Sequence, residues 1–255
     1  MLSLVGGGGK TCALGLLAGE LASGGGRVMV TTTTAMYQRD LAAVGPLAMN
    51  AADMVLAAEL RETLGKGLVA AAARASGADG KVVGLPPATI DRLWADGLAD
   101  YVVVEADGSR GMSLKAFGPY EPQVPGATTT IVTVAGLDAI GKPLTAQYVH
   151  RADLLAAMLG VPGGITVTLG LFVDTLREQI RQLREGWPAR RIIVLLNKAD
   201  DGAGEALGKQ VARELLGGTH DADGASRPGE LRGPDAVIVA SLRRGTFARF
   251  SAEGR

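Results

Sequence analysis

The chain opens Met1-Leu2-Ser3-Leu4-Val5-Gly6-Gly7-Gly8-Gly9-Lys10-Thr11-Cys12. Met1 to Val5 reads as a short apolar strand. The glycines follow, and then Thr11 to Ala22, rich in Ala and Leu, reads as a helix. Ser23-Gly24-Gly25-Gly26 stops that helix, and Arg27 to Thr33 reads as a buried strand running into Thr31-Thr32-Thr33-Thr34. A strand, a glycine turn, a helix and a second strand make a βαβ unit, whose crossover implies parallel strands. Glycine lets backbone N–H groups approach an anion closely, and the start of a helix favours negative charge. Lys10 then suits the β- and γ-phosphates of a nucleoside triphosphate, and Thr11 a ligand position on Mg2+. Gly6, Gly7, Gly8, Gly9, Lys10, Thr11 and Cys12 are the expected phosphate contacts.

Working outward, Asp53 to Leu64 reads as a helix capped by Asp53. Leu68 to Arg74 and Lys81 to Leu85 read as a hairpin across Gly77-Ala78-Asp79-Gly80, followed by a helix from Pro87 to Ala95. Tyr101 to Glu105 is an apolar run ending in an acid, as a central parallel strand should be. Asp107 to Thr128 reads as a loop, and loops of that length are often functional. Thr129 to Ala135 reads as a strand, His150 to Leu159 as a helix, and Leu171 to Arg184 as another helix with Arg177, Arg181 and Arg184 on a solvated face. Arg191 to Leu196 reads as a strand, Gly217 to Gly233 as a mobile polar loop, and Val237 to Ala240 as the last strand. The expected fold is α/β: a mostly parallel twisted sheet flanked by helices, of the P-loop nucleotide hydrolase kind. One domain is expected over residues 1–255, with a hairpin and helix insertion around residues 53–97.

Two further runs carry chemistry. Glu105-Ala106-Asp107-Gly108 follows the central strand, and an acid at a carboxyl strand end faces the crevice where open α/β sheets bind ligands. Glu105 or Asp107 is expected to hold the metal or orient an attacking water, with Gly108 offering its N–H to the γ-phosphate. Asn197-Lys198-Ala199-Asp200 resembles the Asn-Lys-x-Asp motif of GTP-binding proteins. There the Asp carboxylate accepts hydrogen bonds from guanine N1 and N2, a donor pair that adenine lacks. The Lys stem packs along the base, and Asn197 is expected to tie the base loop to the phosphate loop. Thr33 and Thr34 end a strand on the same side as the acids, so their hydroxyls are candidates for magnesium or phosphate. Ser109, Arg110 and Lys115 in the long loop are candidates for an anionic second substrate or for closing the site. His150 and Arg151 begin a helix with no metal constellation around them.

Composition narrows the classes. The chain of 255 residues has zero formal net charge and 47% hydrophobic residues, which suits one large α/β domain and gives no reason to expect nucleic-acid binding. Cys12 is the only cysteine, so neither an intrachain disulfide nor a multi-cysteine metal site can form. That usage suits a reducing cytoplasm. No apolar run reaches the roughly 18 residues of a membrane span, and no basic region precedes the first apolar residues as in a signal peptide.

Assembled, these residues resemble the YqeC family of accessory proteins for selenium-dependent hydroxylases and selenium cofactor biosynthesis. The resemblance rests on Val5 to Thr11, Thr31-Thr-Thr-Thr-Ala-Met36, Val83-Gly-Leu-Pro86, Tyr101-Val-Val-Val-Glu-Ala-Asp-Gly-Ser-Arg110, Leu114-Lys115 and Glu121-Pro122. It continues through Val134-Ala-Gly-Leu-Asp-Ala-Ile-Gly-Lys-Pro-Leu144, Val149-His-Arg151 and Leu196-Asn-Lys-Ala-Asp200. The loop departs from the usual phosphate-loop pattern, since Leu4 stands where the first glycine belongs. It resembles the Gly-Gly-x-Gly-Lys-Thr form of metallochaperone-type P-loop proteins, with Val5 in place of the lysine that begins it in partitioning ATPases. Ala35 stands where many relatives have Lys, and since relatives carry residues before the first strand, their first helix or cap is expected to be missing here. The resemblance implies a cytoplasmic P-loop protein that matures molybdenum hydroxylases. By analogy with related maturation factors it implies a homodimer. Three activities are compatible: Mg2+-dependent hydrolysis with GTP preferred, ATP-dependent transfer or ligation onto a small anionic substrate, and nucleotide-dependent delivery of a cofactor without catalysis.

Overall fold

The computed structural model describes residues 1–217 and 232–251, in which the chain forms two compact units, each an α/β layering of its own. The first takes Met1–Val5, Lys10–Gly108 and Tyr120–Thr129; the second takes Gly6–Gly9, Ser109–Pro119 and the chain from Thr130 onward.

In the first unit the elements are β1 (Leu2–Gly6), α1 (Lys10–Ser23), β2 (Val28–Thr32), β3 (Met36–Tyr37), α2 (Gln38–Ala42), β4 (Leu47–Met49) and α3 (Asp53–Lys66). They continue as β5 (Val69–Ala73), β6 (Ala75–Ser76), β7 (Lys81–Val83), α4 (Pro87–Ala95) and β8 (Tyr101–Glu105). The main strands lie in the order β1-β8-β2-β5-β4, all parallel. β8 is central, as its unbroken apolar run predicts. Its register sets Glu105 level with Leu4 on one side and Thr32 on the other. Val28, Met29 and Val30 of β2, Ala70 to Ala73 of β5 and Val102 to Val104 of β8 are buried, together with Leu14 of α1 and Leu56 and Leu60 of α3. The small side chains of β5 leave room for α1 and α3 to pack onto it.

Two expectations change here. The glycine hairpin exists, but it joins β6 to β7; Val69 to Ala73 instead enters the parallel sheet between β2 and β4. Burial decided this, because a run of alanines fits a two-sided core and not an exposed ribbon. Asp53 is not the cap of α3. Ala52 holds that position without a side-chain bond, and Asp53 begins the helix with its carboxylate on Thr89 and Arg92 of α4.

The second unit carries β9 (Leu114–Lys115), β10 (Thr130–Gly136), a 3-10 turn (Leu137–Ala139), β11 (Val149–His150), α5 (Ala152–Leu159) and α6 (Leu169–Gly186). β12 (Arg191–Asn197), α7 (Gly202–Gly217), β13 (Ala236–Ser241) and β14 (Thr246–Phe250) follow. β10, β12 and β13 are parallel neighbours, and β14 adds antiparallel to β13, so β13 is not the last strand. His150 lies in β11, paired with Lys115, rather than in a helix, and Arg151 turns the chain into α5 at a φ of 59°. Arg177 and Arg181 reach solvent as expected, but Arg184 is buried, its guanidinium 2.9 Å from Asp235 and bonded to the carbonyls of Arg190 and Gly233. Of the expected mobile loop, residues 218–231 lie outside the described part. Among the described residues no helix is long and apolar enough to cross a membrane.

Candidate functional site

The glycine run is built into the second unit by close backbone approach. Gly6, Gly8 and Gly9 have φ of 88°, 78° and 136°, where a side chain would be strained. A Cβ at Gly6 would lie 2.3 Å from the Val134 carbonyl oxygen, at Gly7 2.4 Å from that of Met112, and at Gly8 2.3 Å from the Gly136 nitrogen. At Gly9 it would lie 2.3 Å from Nδ2 of Asn197. Gly7 N–H donates to Val134 at 2.7 Å and Gly8 N–H to Met112 at 2.9 Å. Those two donors are spent within the protein. The donors that suit an anion are therefore those at the start of α1, where the first N–H groups of a helix have no partner along the helix.

The Asn197-Lys198-Ala199-Asp200 run follows β12 directly and lies in the same unit. Asn197 Nδ2 donates to the Gly8 carbonyl at 2.8 Å, which ties this run to the glycine loop. Its Oδ1 accepts from the Leu242 N–H at 3.0 Å. Lys198 holds a φ of 68°, uncommon for a residue with a side chain, and its Nζ meets Ser113 Oγ at 2.7 Å and Asp138 Oδ2 at 2.8 Å. Asp200 Oδ1 accepts from Ser241 Oγ at 2.5 Å, and Oδ2 lies 3.7 Å from the Arg243 guanidinium. Ala199 N–H donates to the Ala240 carbonyl at 3.0 Å, so the end of β13 braces the whole run. Sequence reasoning missed Ser241, Leu242, Ser113 and Asp138. A lone Ser after an apolar strand is the only signal Ser241 offers.

In the first unit Lys10 and Thr11 begin α1. Lys10 Nζ lies 3.2 Å from Asp107 Oδ1, with both side chains buried. Thr11 Oγ1 donates to Glu105 Oε2 at 3.0 Å. The two candidate acids thus divide: Glu105 goes to the hydroxyl and Asp107 to the ammonium. Burial pushes the Glu105 carboxyl above its ordinary range, Lys10 and the Thr11 hydroxyl oppose that shift, and the charges of Asp107 and Asp40 reinforce it. Thr32 Oγ1 donates to the Glu105 carbonyl at 3.0 Å and Thr33 N–H to the same oxygen at 3.0 Å. Cys12 is exposed on α1.

The remaining candidates are spread out. Gly108 has open space where a side chain would go, and Ser109 is buried. Arg110 is exposed at a φ of 52°. Lys115 is wholly buried, its ammonium 5.5 Å from the Phe117 ring centroid and its carbonyl held by Gln179 Nε2 at 2.8 Å. Among the described residues no group of three or more His, Cys, Asp or Glu could hold a metal. Any cation would be held by a mixed oxygen set. A Thr hydroxyl and a carboxylate, completed by phosphate oxygens and water, are what Mg2+ accepts.

Comparison with known proteins follows the same residues. The family model described as "YqeC protein" matches residues 2–153, which contain the glycine loop, the Thr run and Glu105 to Asp107. Over 177 residues the chain is 33% identical to the "Uncharacterized protein YqeC" of Escherichia coli (strain K12), which covers 69% of this chain and 67% of that protein.

Proposed function

The chain belongs to the YqeC family, and from that premise we propose that it binds a nucleoside triphosphate with Mg2+, prefers guanine, and hydrolyses it. The observation that carries the reading is the Thr11–Glu105 bond of 3.0 Å at the first turn of the loop helix. A loop hydroxyl beside a strand-end acid is the pair that holds Mg2+ in P-loop nucleotide hydrolases. When bound, the cation neutralises charge developing on the β- and γ-oxygens. Lys10, released from Asp107, moves its ammonium onto the β- and γ-phosphates. Asp107 then orients the water whose oxygen attacks the γ-phosphorus, as the bond to the β–γ bridging oxygen breaks. Nucleoside diphosphate and inorganic phosphate leave. Asp200 accepts from the guanine N1 and N2 groups; Ser241 occupies one lone pair of its carboxylate and leaves three.

The family resemblance supports placing this activity in the maturation of selenium-dependent molybdenum hydroxylases. Titration calorimetry with GTP and ATP, each with and without Mg2+, tests the reading. Micromolar GTP binding that needs Mg2+ and weakens at least tenfold with ATP is expected. Equal or tighter ATP binding would sink the guanine preference, and no binding of either nucleotide would sink the whole proposal.

A further inference from the structure

Most polar atoms at the head of the first unit's sheet are accounted for. Thr31 Oγ1 donates to the Ala72 carbonyl at 2.8 Å, and Thr32 Oγ1 to the Glu105 carbonyl at 3.0 Å. Thr34 turns back on Thr32, its N–H donating to the Thr32 hydroxyl at 3.1 Å. Thr33 is different. Its Oγ1 is buried and has no hydrogen-bond partner among the described residues. Buried hydroxyls are nearly always bonded, and one left over in a folded protein calls for an explanation.

The position of Thr33 is held firmly. Its N–H donates to the Glu105 backbone carbonyl at 3.0 Å, which ties its main chain to that of the residue whose carboxylate receives Thr11. On the other side Gly84 packs against the Thr run so closely that a Cβ there would lie 2.5 Å from the Thr32 carbonyl oxygen and 2.5 Å from the Thr33 carbonyl carbon. Leu85 N–H fixes that approach by donating to the Thr32 carbonyl at 2.8 Å. The backbone of Thr33 is thus clamped from two sides while its hydroxyl oxygen lacks a partner. A hard oxygen without a partner, on a backbone bonded to that of Glu105, has the chemistry of a divalent-cation ligand.

We propose that Thr33 Oγ1 is a further ligand, direct or through one water, to the divalent cation at Thr11 and Glu105, and that Gly84 exists to hold it there. The proposal rests on the nucleotide reading above. It gives the Thr-rich run one functional member and leaves its neighbours structural.

The test uses Mn2+, whose free and bound forms are separable by paramagnetic resonance, with a non-hydrolysable GTP analogue. Thr33→Val is isosteric and removes only the hydroxyl. In that variant the Mn2+ dissociation constant in the ternary complex should rise at least tenfold. The melting temperature of the nucleotide-free protein should hold or rise. Thr33→Ser should restore Mn2+ binding to within threefold, and Thr33→Ala should behave as Thr33→Val. Gly84→Ala should weaken Mn2+ binding while Thr33 itself is intact. Wild-type Mn2+ affinity in both Thr33→Val and Thr33→Ala overturns this inference alone. A melting temperature lowered by several degrees in Thr33→Val also overturns it, since the hydroxyl would then be structural. Failure of the wild-type protein to bind the analogue with Mn2+ overturns the nucleotide reading, and this inference with it.

Discussion

Two Lys–Asp pairs of similar geometry sit in very different surroundings. Lys10 and Asp107 lie 3.2 Å apart with 3% and 0% of their side chains exposed. Lys198 and Asp138 lie 2.8 Å apart with 35% and 51% exposed. Coulomb's law ranks the closer pair higher, but the dielectric around the charges decides the outcome. Water shields Lys198 and Asp138, so either can lose the other cheaply. Around Lys10 and Asp107 water is excluded, and each charge depends on a counter-charge. A triphosphate can provide one. The buried pair is thus suited to exchange one anion for another, and the exposed pair to hold a loop in place.

The largest effect should come from breaking the buried pair on one side. Lys10→Ala takes the ammonium from the buried Asp107 carboxylate, and loss of one partner from a buried pair costs about 3–5 kcal/mol. Urea unfolding should show that loss, and Mg2+·GTP binding should vanish. Lys10→Met with Asp107→Leu removes both charges and should recover most of the stability with no recovery of binding. A single variant as stable as the wild type would mean that solvent reaches this pair and that the contrast is false.

The next effect concerns the Asn197 to Asp200 run, proposed to read the base. Asp200→Asn exchanges a two-oxygen acceptor for one acceptor and one donor. That set no longer matches the N1–H and N2–H of guanine, but it matches the N1–H and O2 of xanthine. A hydrogen bond to a charged group is worth about 1.5–3 kcal/mol, so GTP affinity should fall on the order of 10–100-fold. Xanthosine triphosphate should gain by a similar factor. Ser241→Ala, which removes the 2.5 Å bond positioning the carboxylate, should cost roughly tenfold in GTP affinity and leave ATP unchanged. Competition binding with the three nucleotides measures all of this; an unaltered preference order in Asp200→Asn would refute base reading by this loop.

These residues also show what could be read from the chain alone. The placement of Lys10 and Thr11 at a helix start, beside the strand-end acids, was legible because a strand, glycines and a helix are written in one contiguous run. Asn197 to Asp200 was legible for the same reason. Ser241 and Asp138 were not, because each acts on a partner far along the chain, with no local spacing to mark it. The same limit explains the errors in the fold. Leu68 to Arg74 looked like a hairpin arm because glycines followed it, and only tertiary burial assigned its Val69 to Ala73 to the parallel sheet. Arg184 looked solvated from helical spacing, yet Asp235 and two carbonyls draw it inside.

A smaller effect tests the buried end through pH. The Glu105 carboxyl is raised above its ordinary 4.5, burial being the main cause. An acid whose folded value is raised binds its proton more readily folded than unfolded, so stability falls as pH climbs from that ordinary value through the raised one. Glu105→Gln should therefore melt higher than the wild type in nucleotide-free form at pH 8, with the gap closing as pH drops toward 4.5. Calorimetric scans across that range decide it. A gap that widens in acid would reverse the sign and make Glu105 a stabilising anion.

The smallest effect should come from the exposed pair, and it closes the comparison. Asp138→Asn leaves Lys198 its bond to Ser113 and its access to water. Exposed pairs are worth about 0–1 kcal/mol and are screened by salt. The variant should unfold within about 1 kcal/mol of the wild type, and added salt at about 0.5 M should erase most of that difference. The Lys198 φ of 68° adds one consideration: a residue with a side chain is held there at a cost, and its anchors offset that cost. Asp138→Asn with Ser113→Ala removes both anchors of the ammonium. If the pair only pins the loop, the double variant should lose guanine preference while its global stability barely moves. If it unfolds as readily as Lys10→Ala, then exposure fails to separate the two pairs and the dielectric argument must be abandoned.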